Sequence, residues 1–77
     1  MKIQILGTGC AKCNTLALST KAAADRLGLD YELEKVTDFL RFADFGVMIT
    51  PALVVDGKLK VAGRIPSDAD LEKLLLS

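Results

Sequence analysis

The residues of this 77-residue chain best suited to covalent chemistry are two cysteines three positions apart, in Cys10-Ala11-Lys12-Cys13. The reactive form of cysteine is the thiolate, so the setting of each thiol decides what it can do. Gly7-Thr8-Gly9 precedes the pair and a helical pattern follows it. Cys10 therefore stands at a helix start, where unpaired backbone N–H groups and the positive end of the helix dipole favour a thiolate. A free cysteine titrates near ~8.5, and such a setting lowers it to ~3.5–7.5. Lys12 adds positive charge in the same direction. Cys13 lies one turn further on, on the apolar face of the helix, and is expected to be less exposed and less acidic. Helical residues three apart have Cβ atoms about 5–6 Å from each other, and a disulfide needs about 3.5–4.5 Å. A small distortion of the first turn closes that gap, so the bridge can form and break. The chemistry implied is thiol–disulfide exchange. Cys10 attacks a disulfide to give a mixed disulfide, and Cys13 displaces it.

Other uses of two cysteines fit less well. A bridge between residues 10 and 13 closes almost no loop and so adds little stability by chain entropy. Structural zinc takes four Cys or His ligands, whereas the chain has two cysteines and no histidine. Two inert structural thiols would need apolar settings, and Cys10 sits between Gly9 and Ala11 in a glycine-rich turn. No metal site is expected. The competing function is soft-metal carriage, because thiolates select Cu(I). Small copper carriers also place a C-x-x-C after their first strand. They run β-α-β-β-α-β, however, and have Met two residues before the first cysteine, where this chain has Thr8. A non-catalytic interaction domain is a third reading, and the cysteine pair in an electropositive turn speaks against it.

The elements that must position the pair follow from periodicity. Lys2 to Leu6 reads as a short apolar strand. From Cys10 to Leu27 the residues Cys13, Leu16, Ala17, Thr20, Ala24 and Leu27 share one helical face, with Lys21 and Asp25 opposite. Gly28 suits a helix end. Tyr31 to Val36 reads as a second strand. Thr37 and Asp38 open a short helix whose apolar face is Phe39, Phe42 and Ala43, ending at Gly46. Phe39 and Phe42 are expected in the core, and Tyr31 in strand packing. Ala52–Val55 and Lys58–Ala62 are strands flanking Asp56-Gly57, a strong hairpin signal. Ser67 caps a last helix, with Asp70 in a weak capping box and Leu71, Leu74 and Leu75 facing inward. The order is β-α-β-α-β-β-α. A right-handed parallel β-α-β followed by a hairpin gives an α/β fold with a four-stranded mixed sheet, order 2-1-3-4, and three helices. The first helix begins at the carboxyl end of the first strand, where chemistry collects in open α/β sheets.

Length and charge narrow the rest. The chain suits a single domain, 1–77. Ten Lys plus Arg balance ten Asp plus Glu, which argues against a nucleic-acid partner and a polybasic membrane anchor. The apolar runs are too short for a secretory signal or a membrane span. A cytoplasmic monomer without membrane association is expected.

Together these features resemble the thioredoxin superfamily at its glutaredoxin-sized end, in particular the small redox-active disulfide proteins of archaea and bacteria. The resemblance covers the whole chain. It rests on Gly9-Cys10-Ala11-Lys12-Cys13, the stretch Gly46 to Ala52 containing Thr50-Pro51, the Asp56-Gly57 hairpin, and Gly63-Arg64-Ile65-Pro66-Ser67. It implies a minimal thioredoxin/glutaredoxin-like fold, with Cys10 the nucleophile and Cys13 the resolving thiol. Pro51 is then a cis-proline facing the disulfide, the Thr50 backbone pairs with a substrate strand, and Gly63 lets the backbone pass close to the site. No cofactor is needed beyond the Cys10–Cys13 disulfide. The partners implied are protein disulfide substrates and a disulfide reductase or low-molecular-weight thiol. The chain lacks the Trp before the first cysteine, the Gly-Pro between the cysteines and the acidic residue in strand one that typical thioredoxins carry. Ser67 and Asp68 stand where glutaredoxins hold the γ-glutamyl end of glutathione, and are also ordinary capping residues. Arg64 lies where it could attract an acidic partner, although a solvated arginine is the commoner case.

Overall fold

A computed structural model describes residues 1–9 and 11–77. The sequence expectations for Cys10 lie outside the described residues. The elements are β1 (Lys2–Leu6), α1 (Ala11–Arg26), β2 (Glu32–Val36), α2 (Phe39–Phe42) continued by a 3-10 turn (Ala43–Phe45), β3 (Ala52–Val55), β4 (Lys58–Ala62) and α3 (Asp68–Leu76). The sheet order is β2-β1-β3-β4. β1 runs parallel to β2 and antiparallel to β3, and β3 and β4 form the antiparallel hairpin. This is the α/β architecture of the thioredoxin-like fold, with the 2-1-3-4 order expected from the sequence. It is not the β-α-β-β-α-β order of small copper carriers.

Strand alternation explains how the layers assemble. Ile3 and Ile5 of β1 point to one side of the sheet, where they meet Leu16, Ala17, Ala23 and Ala24 of α1 and Leu71 and Leu75 of α3. Leu6 points to the other side and joins Val36, Phe42, Val47, Ala52 and Val54 under α2. β3 is apolar on both faces and buried along its whole length, whereas β1 carries the buried polar Gln4 on the α2 side. Leu16, Leu53 and Leu71 are fully buried, and each such side chain contributes roughly 1.5–3 kcal/mol through burial.

The ends of α1 and α3 are set by local chemistry. Gly28, at φ +67°, ends α1 in a Schellman arrangement, with Leu29 N–H bonded to Ala24 O and Gly28 N–H to Asp25 O, both at 3.1 Å. Arg26 at that end reaches Glu72 of α3 at 3.5 Å. At α3 the Ser67 hydroxyl accepts from Asp70 N–H at 3.2 Å, the capping role. The hairpin turn places Asp56 at φ 50° and Gly57 at φ 80°, the two positive dihedrals of a type I′ turn. Asp56 also ties the turn to β1, its side chain accepting from Lys2 N–H at 2.7 Å.

The short helix departs from expectation. Asp38 caps it by accepting from Leu40 N–H at 3.0 Å, and Gly46 ends the segment at φ 72°. Only four residues are α-helical before the chain tightens to 3-10. A single turn this short carries no continuous apolar face. Phe42 stays buried, Ala43 is exposed, and Phe39 and Leu40 are 66% and 71% exposed rather than in the core. Tyr31 precedes β2 and is half-buried, its hydroxyl donating to Asp25 at 2.8 Å.

Candidate active site

Cys13 occupies the first turn of α1, directly beyond the carboxyl end of β1. It is 5% exposed, on the inward face of the helix with Leu16, Ala17 and Thr20. Its burial depends on Gly7, which the sequence reading placed only in the glycine-rich turn before the cysteine pair. Gly7 donates its N–H to Val36 O at 3.0 Å, extending the β1–β2 ladder by one residue. A Cβ at Gly7 would fall on Cys13 Sγ and lie 2.9 Å from Cys13 Cβ. The absent side chain is therefore the space the thiol fills. The sequence signal was present, since a glycine directly after a strand marks either a turn or a close approach, and here it marks the approach.

A small pocket of about 20 Å³ opens beside this thiol, lined by Ile5, Gly7, Gly9, Cys13, Asn14, Lys35 and Thr37. Lys35 reaches it because β2 alternates. Leu33 packs against the α1-side core, and Lys35, two residues on and paired with Ile5, faces the same way. Sequence reasoning missed Lys35, Asn14 and Thr37, although the two-residue period of β2 places Lys35 on the α1 face. Lys12 is exposed on the first turn of α1.

The second part of the site is built by the segment entering β3. The Thr50–Pro51 peptide is cis. Pro51 is fully buried and Thr50 half-exposed. Gly63, at φ +83°, donates its N–H to Pro51 O at 2.8 Å. A Cβ at Gly63 would come 2.7 Å from Ile49 Cγ2, so the glycine lets β4's end pass against the segment before Pro51. Arg64 next to it is exposed.

A separate open groove of about 460 Å³ is lined by Thr8, Phe39, Phe42, Ala43, Val47, Met48 and Thr50. Thr8 comes from the turn that leads to Cys10, and Thr50 adjoins the cis bond. The groove's outer wall is unusually apolar for a surface, with Met48 97% exposed and Phe39 66% exposed. α2 is held against the sheet by Phe42, and its Arg41 also lies near Glu34 of the sheet. Glu34 of β2 accepts from Gln4 Nε2 at 2.8 Å and lies 3.8 Å from Arg41. The Gln4 hydrogen bond, with the nearby Lys2 and Arg41 charges, holds the Glu34 carboxyl below its ordinary value.

Among the described residues, no cluster of three or more His, Cys, Asp or Glu side chains could hold a metal ion. None of the described helices is long and apolar enough to cross a membrane. A family model described as thioredoxin domain matches residues 1–76. A thioredoxin of Methanothermobacter thermautotrophicus is 43% identical over 75 residues, spanning 97% of each chain. A thioredoxin of Methanocaldococcus jannaschii is 40% identical over 75 residues, spanning 97% of this chain and 86% of its own. The chain belongs to the thioredoxin-domain family, and a thioredoxin-like redox function comes with that membership.

Proposed function

We propose that the protein is a thiol–disulfide oxidoreductase that reduces protein disulfides by dithiol exchange between Cys10 and Cys13. The observation that best supports this reading is the placement of Cys13 (buried in the first turn of α1, beyond the end of β1, with its sulfur in the space left by Gly7). A buried thiol beside a turn that carries a second cysteine is suited to intramolecular displacement rather than to first attack.

The steps balance as follows. The Cys10 thiolate attacks one sulfur of the substrate disulfide, forming a Cys10–substrate bond and releasing one substrate thiolate. Cys13, as thiolate, then attacks Cys10 sulfur. The Cys10–Cys13 bond forms, the second substrate thiolate leaves, and solvent protonates both products. Two electrons pass from the cysteine pair to the substrate, so the reaction requires no further cofactor. A disulfide reductase or a low-molecular-weight thiol returns the pair to the reduced state, in a reducing compartment such as the cytoplasm. Lys12 favours the Cys10 thiolate, and Thr50, Pro51 and Gly63 shape the surface against which the substrate chain lies.

The test is turnover of insulin disulfides with dithiothreitol as electron source. Catalysis is expected, with Cys10→Ser reducing it to background. The reduction potential should lie nearer the thioredoxin value of about −270 mV than the glutaredoxin range of about −200 to −230 mV. Turnover that survives Cys10→Ser overturns the proposal.

A further inference from the structure

Met48 is the most exposed of the large apolar side chains among the described residues, at 97%. Its neighbours on both sides are fixed. Val47 is buried and donates its N–H to Phe42 O at 3.0 Å. Ile49 lies against Gly63, where a Cβ would come 2.7 Å from Ile49 Cγ2, and Gly63 is bonded in turn to Pro51 O. The backbone between these anchors presents the Met48 side chain outward, on the wall of the groove that also contains Thr8 and Thr50. The only other methionine, Met1, is 39% exposed and precedes β1, at the end of the strand opposite the groove.

An exposed thioether is open to two-electron oxidation, which turns a flexible apolar side chain into a polar one. We infer that Met48 is a hydroperoxide-sensitive modification site whose oxidation to the sulfoxide weakens reduction of protein disulfides. The inference rests on the oxidoreductase reading above. In the modifying step a sulfur–oxygen bond forms at Met48 Sδ as the peroxide O–O bond breaks. The thioether sulfur is oxidised by two electrons, and hydrogen peroxide is reduced to water. The groove's occupant is the polypeptide that carries the substrate disulfide. The groove runs from Thr8, two residues before Cys10 in the sequence, to Thr50, next to Pro51, and offers such a chain an apolar track. Met48 and Phe39 offer that chain apolar contact. A sulfoxide oxygen at Met48 must stay hydrated, which opposes burial beneath an apolar partner. A small disulfide that reaches only the thiols does not lie on this wall.

The experiment oxidises the disulfide form with hydrogen peroxide, which keeps the two thiols protected, and then restores the thiols with dithiothreitol. Mass spectrometry of peptides locates the added oxygen. Rates with insulin and with bis(2-hydroxyethyl) disulfide are compared before and after treatment, in the natural protein and in Met48→Leu. Met48 is expected to oxidise ahead of Met1. The insulin kcat/KM should fall about threefold or more, a change of ~0.65 kcal/mol or more, while the small-disulfide rate holds. Treated Met48→Leu should keep its own untreated insulin rate. Resistance of Met48 to peroxide, full oxidation with an unchanged insulin rate, an equal loss on both substrates, or a loss that persists in Met48→Leu would each overturn the inference alone. Untreated protein that reduces neither disulfide overturns the oxidoreductase reading and this inference with it.

Discussion

Replacing Gly7 with Ala probes the packing that holds the buried thiol. Gly7 does not adopt a left-handed backbone, so alanine meets no dihedral penalty there, and its N–H bond to Val36 O is kept. What changes is steric. The new Cβ would overlap Cys13 Sγ and stand 2.9 Å from Cys13 Cβ. Forcing one extra carbon into a packed interior costs typically ~1–3 kcal/mol. At roughly 4–8 °C per kcal/mol for a domain of this size, Tm should fall by about 5–20 °C. Thermal unfolding of the reduced protein, followed by circular dichroism, measures it. The cause is isolated by repeating Gly7→Ala in a Cys13→Ala background, where Sγ is gone and only the Cβ contact remains. The cost of Gly7→Ala should then shrink, with a coupling of about 0.5–3 kcal/mol between the two sites. An equal cost in both backgrounds would refute the reasoning, because Gly7 would then act through its backbone and not by making room for the sulfur.

Thr20 is fully buried on α1, and its hydroxyl has no hydrogen-bond partner among the described residues. Thr20→Val keeps the shape and removes the desolvated hydroxyl, so chemical denaturation should show a gain of about 1 kcal/mol; a loss would mean that the hydroxyl is satisfied in solution. Asp25 accepts from Lys21 at 2.9 Å and from Tyr31 at 2.8 Å. Those bonds, Lys21's first, hold its carboxyl below its ordinary value. A carboxyl lowered on folding adds stability that is present above its unfolded value and is lost as pH falls through the folded one. Asp25→Asn should therefore be less stable than the natural protein near neutrality, with the difference closing below about pH 3.8. A difference that is independent of pH would contradict this.

Much of the fold was legible because several local signals agreed. The apolar run of β1, the Ala-rich face of α1, Gly28, the Asp56-Gly57 turn and the Ser67 cap each specify a local geometry, and together they permit few topologies. The short helix was misread because a three-residue spacing of Phe39 and Phe42 suggests a continuing helical face. The chain instead tightens after Phe42 and leaves Phe39 outside. That exposure forms the groove wall, so the misplaced residue belongs to the candidate site. Cys13's burial could be read from its helical position alone. The role of Gly7 could not, because the contact joins the end of one element to the face of the next and carries no periodicity. Lys35 was hidden for a similar reason. A lysine in a half-polar edge strand reads as solvent-facing, and Lys35 is exposed, yet it also lines the pocket beside Cys13.

The central claim, that Cys10 attacks and Cys13 resolves, is tested most directly by trapping. Each single variant, Cys10→Ser and Cys13→Ser, is reduced, freed of reductant and mixed with a protein disulfide, and covalent adducts are followed by intact mass. Cys13→Ser should accumulate a mixed disulfide on Cys10, because nothing remains to displace the substrate. Cys10→Ser should form essentially none, because Cys13 is only 5% exposed and buried thiols react slowly. An adduct on Cys13 that forms as fast as the one on Cys10, or no adduct in either variant, would contradict the account.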